Sequence, residues 1–280
     1  MPSVLLHDFI VEEHVKNALK EDIGFGDITT DYLVPKDEKI TAKLNTRQDG
    51  ILCGIDIVET VFKTLSSDVK IQKFFTDGDK IKKGDTLAII EGPARAILIG
   101  ERTALNYIQR LSGIATETNK YQIAIGNNKA RITDTRKTTP GFRMFEKYAV
   151  YTGGARLHRF NLSDCVMIKD NHIQYAGSIT KAVQQIREHL SHTHKIEIEC
   201  DTIEQVKEAV EAKADIIMLD NMNCDLMKQC IEIIGDKALV EASGNVTIET
   251  ITDIAKTGVD VISSSAIVAK AKTLDIALDM

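Results

Sequence analysis

The 280-residue sequence lacks the features that define several other protein classes. It has no apolar run near the roughly 18 residues that span a bilayer, and residues 1–9 contain no basic region typical of a secretion signal. Its 35 Lys and Arg against 41 Asp and Glu give a formal charge of −6, which disfavours general binding to nucleic acid or a membrane surface. We therefore expect a cytoplasmic protein with neither partner, in which any anion site is local.

The five cysteines are odd in number, scattered, and without a C-x-x-C pair. This pattern disfavours both a disulfide framework and a structural zinc site. We expect small buried residues, which is the commoner role of free cysteine.

The second half of the chain repeats a short unit. Apolar residues at helical spacing separate β-rich runs that start 21, 23 and 20 residues apart. The four runs are Lys195–Glu199, Ile216–Asp220, Leu239–Ser243 and Val259–Ser263. Two earlier strands, Arg131–Thr135 and Cys165–Ile168, and helices near Phe142–Thr152 and Ser178–Leu190 extend the series to six strands. No Gly-rich phosphate turn follows the first strand, so a closed parallel barrel is favoured over an open doubly wound sheet.

The first half has a different pattern, with helices containing Ile10–Leu19 and Ile55–Leu65 and an alternating strand at Ile40–Leu44. The runs Val69–Phe75 and Thr86–Glu91 resemble the hairpin of biotinyl and lipoyl carriers, but no lysine occupies the turn that carriers modify. A small antiparallel domain is therefore favoured over a carrier. The fold class we predict is an α/β protein: a small α+β sandwich domain, residues 1–112, precedes an incomplete TIM-like parallel α/β barrel, residues 113–267.

Polar residues follow almost every predicted barrel strand, where the active sites of βα barrels lie. The strand-end groups are Arg136-Lys137, Lys169-Asp170-Asn171, Glu199, Asp220-Asn221, Ser243-Gly244-Asn245 and Ser263-Ser264-Ser265. Alternation along the strands points Glu199 and Asp220 into the barrel mouth. Any one such acid is equally well explained as a helix N-cap or a lysine partner, but six polar strand ends in succession favour a site.

Cations are concentrated between Lys129 and Lys169, a segment that contains nine basic residues and three acidic ones. Arg136, Lys137, Arg159 and Lys169 lie near His158, and clustered cations imply a ligand with more than one negative charge. The alternative is a solvated basic surface. Glu199 and Asp220 could hold Mg²⁺, and the backbone of Ser243-Gly244-Asn245, just before a helix, could bind a phosphate.

Eight longer motifs resemble the quinolinate phosphoribosyltransferase family over nearly the whole chain. They are Asp22-Ile-Gly-Phe-Gly-Asp-Ile-Thr29, Gly100-Glu-Arg-Thr-Ala-Leu-Asn106, Leu111-Ser-Gly-Ile-Ala-Thr116, Asp134-Thr-Arg-Lys-Thr-Thr-Pro-Gly141, Gly153-Gly-Ala-Arg-Leu-His-Arg159, Met167-Ile-Lys-Asp-Asn-His172, Leu219-Asp-Asn221 and Val240-Glu-Ala-Ser-Gly244. The family also goes by the name nicotinate-nucleotide pyrophosphorylase (carboxylating). It transfers phosphoribosyl from phosphoribosyl pyrophosphate to quinolinate and forms nicotinate mononucleotide, pyrophosphate and CO₂ for NAD synthesis.

The resemblance implies a role for each group of site residues. Arg136, His158, Arg159 and Lys169 would bind the two quinolinate carboxylates, with Lys137 and Thr138 beside them. Glu199 and Asp220, next to Asn221, would engage the ribose hydroxyls and Mg²⁺, directly or through substrate or water. Ser243, Gly244, Asn245 and the loop Ser263, Ser264 and Ser265 would bind the 5′-phosphate. Lys137, Lys169, Glu199 and Asp220 would be the catalytic residues.

The resemblance also implies a homodimer, because Arg102 matches an arginine that the family donates into its neighbour's site; alternatively, Arg102 lies at the edge of an apolar helix stripe. It implies that the tail, residues 268–280, returns to the first domain. The chain departs from the family after its last strand, where Ser265 occupies a glycine position and Val268-Ala269-Lys270 replaces a Thr-His pair. This departure indicates weakened or shifted phosphate binding, unless a serine hydroxyl supplies a replacement bond.

Three alternatives to this enzyme remain at the level of sequence. The first is a paralogue of the same fold that is linked to molybdenum transport, although the intact cation set argues against it. The second is a Schiff-base aldolase with Lys169 as nucleophile, since strand-end lysines do that work in many barrels. The third is a regulator that binds phosphoribosyl pyrophosphate without turnover.

Overall fold

The computed structural model describes residues 6–280. From the N-terminus to the long helix the elements are α1 (Asp8–Ile23), α2 (Ile28–Leu33), β1 (Lys39–Thr46), β2 (Gly50–Ile51), α3 (Ile55–Leu65), β3 (Lys70–Lys73), β4 (Lys80–Ile81), β5 (Thr86–Pro93) and α4 (Ala94–Ile125). The remainder are β6 (Arg131–Thr133), α5 (Arg143–Thr152), β7 (Val166–Ile168), α6 (Asp170–Ala176), α7 (Ile179–Arg187), β8 (Ile196–Cys200), α8 (Ile203–Glu211), β9 (Ile216–Asp220), α9 (Cys224–Ile234), β10 (Leu239–Ser243), α10 (Ile251–Lys256), β11 (Val261–Ser263), α11 (Ala266–Ala269) and β12 (Ile276–Asp279).

Internal contacts divide these residues into two compact units. The first contains the described residues up to Asn119 together with Thr139–Gly154 and Ala271–Met280, and the second contains Lys120–Thr138 and Ala155–Lys270. Across residues 6–280, none of the helices combines the length and the apolar character needed to span a bilayer. Cys53, Cys200 and Cys230 are buried as predicted, whereas Cys165 and Cys224 are partly exposed.

The first unit is built on an antiparallel sheet with strand order β12-β1-β5-β3. Strand β1 alternates as the sequence predicts, and Ala42 and Leu44 are buried. Strand β12 pairs with β1, with Leu278 opposite Leu44. Helix α3 starts after Gly54, whose φ is +103°, and the buried carboxylate of Asp77 accepts hydrogen bonds from the first helical N–H groups, so it caps the helix.

Helix α5 belongs to the first unit by its contacts, whereas the sequence suggested that it forms part of the barrel series. Two of its side chains explain this placement. The buried carboxylate of Glu146 accepts a hydrogen bond of 2.8 Å from Arg110 and one of 2.9 Å from the Thr139 hydroxyl. The Tyr148 hydroxyl donates to Asp77 over 2.8 Å. These buried polar groups need partners, and the first unit supplies them.

The second unit is a six-stranded parallel sheet with the order β6-β11-β10-β9-β8-β7. The first strand of the series pairs with the last, which is the order of a barrel, and the open junction lies between β6 and β7. On that side of β6 the isolated parallel bridge between Thr133 and Arg156 continues the ladder. The predicted incomplete TIM-like barrel is confirmed.

Strand ends in this sheet are in register. Ser243 lies opposite Asp220, and Ser263 lies opposite Thr133. Strand β6 ends two residues earlier than predicted, because beyond Thr133 the side chain of Asp134 turns to accept the backbone N–H of His158 over 2.9 Å. The carboxyl ends of neighbouring strands therefore present their polar residues at one edge.

Candidate active site

Two cavities lie at the carboxyl ends of the barrel strands, and each measures about 470 Å³. We call the first the strand-end cavity; it is lined by Thr135, Arg136, Lys137, His158, Arg159, Met167, Lys169, Glu199, Met218, Asp220, Ser243 and Ser263. We call the second the loop cavity; it is lined by Thr135, Lys137, Asp220, Asn221, Ser243, Gly244, Asn245, Val246, Thr247, Ser263, Ser264, Ser265, Ala266 and Lys270. They share five lining residues and therefore adjoin.

The structure brings together 14 of the 16 site residues named from sequence, all of them on the walls of these two cavities. Thr138 and Arg102 lie elsewhere. The Thr138 hydroxyl donates to the backbone carbonyl of Arg136 over 3.4 Å. Arg102 lies on α4 in the first compact unit, and its side chain is exposed.

Two cations of the strand-end cavity are paired with protein acceptors. The Lys169 ammonium is paired with the Glu199 carboxylate. One guanidinium nitrogen of Arg159 donates to the backbone carbonyl of Cys165 over 2.8 Å. These contacts fix where the positive charge of Lys169 and Arg159 lies.

A buried cluster of His158, Glu197 and Glu241 forms part of the base of this cavity. The His158 Nε2 atom lies 3.4 Å from a Glu197 oxygen and 3.3 Å from a Glu241 oxygen. Glu197 and Glu241 are almost fully buried. Their partner in the structure is His158. The interior position was visible from the two-residue alternation; the histidine comes from a distant segment.

The two carboxylates raise the proton affinity of His158. Burial opposes charge on His158, but its hydrogen bonds to Glu197 and Glu241 outweigh burial and raise the pKa of His158 to about 10. Burial raises the pKa of Glu197 as well. The Arg159 backbone N–H donates to His158 Nδ1 over 2.9 Å, so the ring proton that faces the carboxylates lies on Nε2.

The position of the ring proton on His158 Nε2 decides whether this cluster can bind a metal ion. The ligand atoms of His158, Glu197 and Glu241 lie within 4.8 Å of one another, close enough for one ion. A histidine that accepts at Nδ1 carries its proton on Nε2, the atom that faces the carboxylates, and so has no lone pair there for a metal. The cluster is therefore a hydrogen-bonded support for the cavity.

The second acidic group, Glu199 and Asp220, lines the strand-end cavity itself. Burial, followed by the charges of Glu199 and Asp201, raises the pKa of Asp220. A cation beside Glu199 and Asp220 would relieve this repulsion, and carboxylate oxygens are what Mg²⁺ prefers. Of the two acidic groups, this one fits a hard divalent ion.

The loop cavity is shaped by residues in left-handed conformations. Asn221 and Asn245 have φ of 54° and 51°, and Gly244 has φ of 87°. The Asn245 amide donates to the Asn221 side-chain oxygen over 3.0 Å, and the Asn221 backbone N–H donates to the Ser243 carbonyl over 3.0 Å. These bonds tie the loops after β9 and β10 into one wall.

The three serines after β11 have different environments. The Ser264 hydroxyl donates to the Val246 carbonyl over 3.1 Å and accepts the Ala266 N–H over 3.2 Å, so protein groups use it. The Ser263 hydroxyl is buried and has no hydrogen-bond partner among the described residues. Ser265 has φ of −76°, a conformation open to any residue, so serine in the family's glycine position causes no backbone strain.

Two of the residues that sequence reasoning did not single out support or line these cavities. Asp134 is fully buried, and its carboxylate accepts the His158 backbone N–H; in the sequence it stood only within the predicted strand Arg131–Thr135 and at the start of a family motif. Lys270 lines the loop cavity, although the sequence marked it only as a departure from the family pattern.

Replacing His158 by alanine should strongly destabilise the second unit, because two buried carboxylates would lose the donor between them. We expect the free energy of unfolding to fall by about 3 kcal/mol or more, measured by urea denaturation at pH 7. Adding Glu241→Gln should recover part of the loss, since it removes one of the two charges. His189→Ala, at an exposed histidine of the same unit, is the control; equal stability of the two single variants would contradict the cluster.

Gly244→Ala should destabilise the loop cavity through a clash. An alanine Cβ would lie 2.3 Å from the Asn221 side-chain oxygen and 2.7 Å from the Asn221 backbone nitrogen. Gly258→Ala is a matched control, because Gly258 has φ of +97° but nothing lies within 4 Å of the point that an alanine Cβ would occupy there. Both variants carry the left-handed penalty, so the clash should cost about 2 kcal/mol more, seen as a lower Tm for Gly244→Ala. Equal Tm values would show that the loop yields without cost.

Comparisons with known proteins agree with this geometry. Residues 27–112 match the family model for the N-terminal domain of quinolinate phosphoribosyl transferase, and residues 114–279 match the model for its C-terminal domain. A probable nicotinate-nucleotide pyrophosphorylase [carboxylating] from Synechocystis sp. is 42% identical over 274 residues, which cover 97% of this chain and 92% of that protein.

Solved structures give the same result. The crystal structure of NadC from Streptococcus pyogenes has a TM-score of 0.95 and 38% identity, over 98% of this chain and 97% of that one. Nicotinate-nucleotide pyrophosphorylase from Ehrlichia chaffeensis has a TM-score of 0.92 and 44% identity, over 95% of this chain and 97% of that one. With both family models and near full-length relatives in agreement, the chain belongs to the quinolinate phosphoribosyltransferase family.

Proposed function

We propose that this chain transfers the phosphoribosyl group of phosphoribosyl pyrophosphate to quinolinate and releases pyrophosphate and CO₂, leaving nicotinate mononucleotide for NAD synthesis. The observation that carries the proposal is the pair of adjoining cavities: one is lined by four cations and two carboxylates, and the other is a polar pocket between strand-end loops. A pyridine diacid and a sugar with phosphates at both ends need those two environments side by side.

The cations of the strand-end cavity would bind the two carboxylates of quinolinate. Arg136, Arg159 and Lys169 line the strand-end cavity with Lys137, and charge-assisted hydrogen bonds to two carboxylates would balance them. His158 lines the same cavity, but both of its ring nitrogens already face protein groups. Its contribution is therefore to hold the Arg159 backbone in place and to cover the buried acids, rather than to donate to quinolinate.

The carboxylates serve the sugar. Asp220 borders both cavities, which suits a group that binds ribose hydroxyls between the diacid and the 5′-phosphate. Glu199 is held beside it through Lys169. Together they would hold Mg²⁺, directly or through substrate or water, and the ion when bound neutralises charge on the departing pyrophosphate. The 5′-phosphate would occupy the loop cavity, where it could bond to the buried Ser263 hydroxyl.

The chemistry follows from charge placement. As the bond from the ribose carbon to pyrophosphate breaks, the ribose ring becomes positive, and Glu199 and Asp220 stabilise that charge. The ring nitrogen of quinolinate supplies the electron pair for the new bond, so this step needs no general base. The nitrogen is then cationic, which lets the adjacent carboxylate leave as CO₂. The electron pair left on that ring carbon takes a proton from water.

A Schiff-base aldolase would require Lys169 to attack a carbonyl, but the structure pairs its ammonium with Glu199, and family membership favours phosphoribosyl transfer. The paralogue linked to molybdenum transport is not favoured by relatives named as pyrophosphorylases. The cytoplasmic location expected from sequence stays a prediction.

The proposed reaction is tested by the release of labelled CO₂ from carboxyl-labelled quinolinate. We expect release only with phosphoribosyl pyrophosphate and Mg²⁺, and its loss when a chelator removes the metal, since the leaving diphosphate then keeps its charge. Addition of Mg²⁺ in excess should restore turnover. Release without phosphoribosyl pyrophosphate, or none under any condition, would contradict the assignment.

Arg136→Ala should lower kcat/KM by about 100-fold, because removing a charged hydrogen bond in a partly dry site costs about 3 kcal/mol. Arg131→Ala is the matched control: it removes the same charge from the opposite end of β6, where the side chain is exposed. Steady-state kinetics of the two variants decides the point. A kcat/KM near the wild-type value for Arg136→Ala would remove this residue from the binding wall.

We further propose that the active form is a homodimer in which Arg102 of each subunit completes its neighbour's site. The exposed side chain on α4 is available for such a contact. Arg102→Ala and Lys169→Ala should each be inactive alone. Randomly mixed dimers should recover about a quarter of the wild-type activity, since half are mixed and each of these has one intact site. If Arg102 acts within its own subunit, the mixture stays inactive.

A further inference from the structure

The loop cavity contains a charged residue that the proposed reaction does not use. Three charged residues line it: Lys137, Asp220 and Lys270. Lys137 and Asp220 line the strand-end cavity too, whereas Lys270 lines the loop cavity alone. Lys270 therefore supplies positive charge in the part of the loop cavity that the strand-end cavity does not share.

The backbone of Lys270 is fixed, and its side chain is exposed. It follows helix α11, where Ile267 and Val268 are buried, and its backbone N–H donates to the Ala266 carbonyl over 3.0 Å. Its side chain is exposed. A lysine with a fixed backbone and a long exposed side chain can bind an anion that enters from solvent.

Neighbouring residues indicate where the positive charge of Lys270 has an effect. Thr247 lines the loop cavity, and its side-chain hydrogen bond is the main cause of the lowered pKa of Glu249; the charge of Lys270 adds to that lowering. The field of Lys270 thus reaches the loop that closes the cavity. Asp220 places negative charge on another wall, so an anion bound here needs a cation nearby.

The cavity also contains a hydroxyl without a partner. Ser263 is 3% exposed, lines the cavity, and its hydroxyl has no hydrogen-bond partner among residues 6–280. A buried polar group without a bond is costly, and a ligand oxygen would satisfy it. The adjoining left-handed loop at Gly244 and Asn245 lets backbone approach a ligand closely.

We propose that Lys270 is a phosphate-binding residue that pairs with the terminal monophosphate of the sugar substrate in the loop cavity, opposite the Ser263 hydroxyl. The proposal rests on the proposed function, because that function supplies a sugar with a 5′-phosphate. It makes Lys270 a determinant of specificity for phosphorylated over unphosphorylated ribose. It also explains how the loop cavity can bind phosphate although Ser265 occupies the family's glycine position: the Lys270 ammonium supplies part of the binding.

The test is equilibrium binding of ribose 5-phosphate and of ribose to the full chain, measured by calorimetry, with Lys270→Gln and Lys270→Arg. We expect ribose 5-phosphate to bind wild type, Lys270→Gln to bind it about tenfold more weakly, and Lys270→Arg to stay within about threefold. Quinolinate binding should be unchanged in both variants. In turnover, Lys270→Gln should raise KM for phosphoribosyl pyrophosphate with little change in kcat.

Lys272→Gln is the control for net charge, since this lysine is exposed and two residues away. The proposal is overturned if Lys270→Gln binds ribose 5-phosphate as tightly as wild type, if Lys272→Gln weakens it equally, or if wild type does not bind it. Lys270-dependent binding without any CO₂ release from quinolinate would uphold the phosphate site and reject the proposed reaction. CO₂ release that is unchanged in Lys270→Gln would uphold the proposed reaction and reject the phosphate site.

Discussion

The arrangement of this site depends on carboxylates of the barrel strands that lie close to a cluster of cations. Arg136, Lys137, Arg159 and Lys169 share one cavity, and such a group is stable without ligand only if negative charge lies close by. The barrel strands supply it: Glu199 pairs with Lys169, and the Glu197 and Glu241 carboxylates lie within 3.4 Å of the His158 Nε2 atom. Because the acids sit on strand interiors and the cations on the loops, ligand binding completes a charge balance that the fold has already begun.

Much of the fold could be predicted from alternation and repeat length. Strands Ile216–Asp220 and Leu239–Ser243 and helix Ile55–Leu65 begin and end where the sequence indicated, since long periodic segments between turn residues leave little ambiguity. Short elements such as α6, α11, β2 and β4 were not predicted, because two to seven residues carry too few periods to form a pattern. Their conformation is set by tertiary contacts.

The site followed a similar rule. Strand-end position identified Glu199, Asp220 and the serines, because the C-terminal edge of a parallel barrel is where loops converge. What the sequence could not supply was the pairing of distant segments: the contact of His158 with Glu197 and Glu241, the bond from Asp134 to the His158 backbone, and the use of the Ser264 hydroxyl by Val246. These depend on the path of loops, for which no periodicity exists.

The central claim is that the strand-end cavity and the loop cavity form one site for a pyridine diacid joined to a phosphoribosyl group. Competition binding with nicotinate mononucleotide tests it most directly, because this product would extend through both cavities. We predict that one mononucleotide per chain displaces quinolinate and ribose 5-phosphate alike. Displacement of only one of them, or a complex holding the mononucleotide together with either, would contradict the claim.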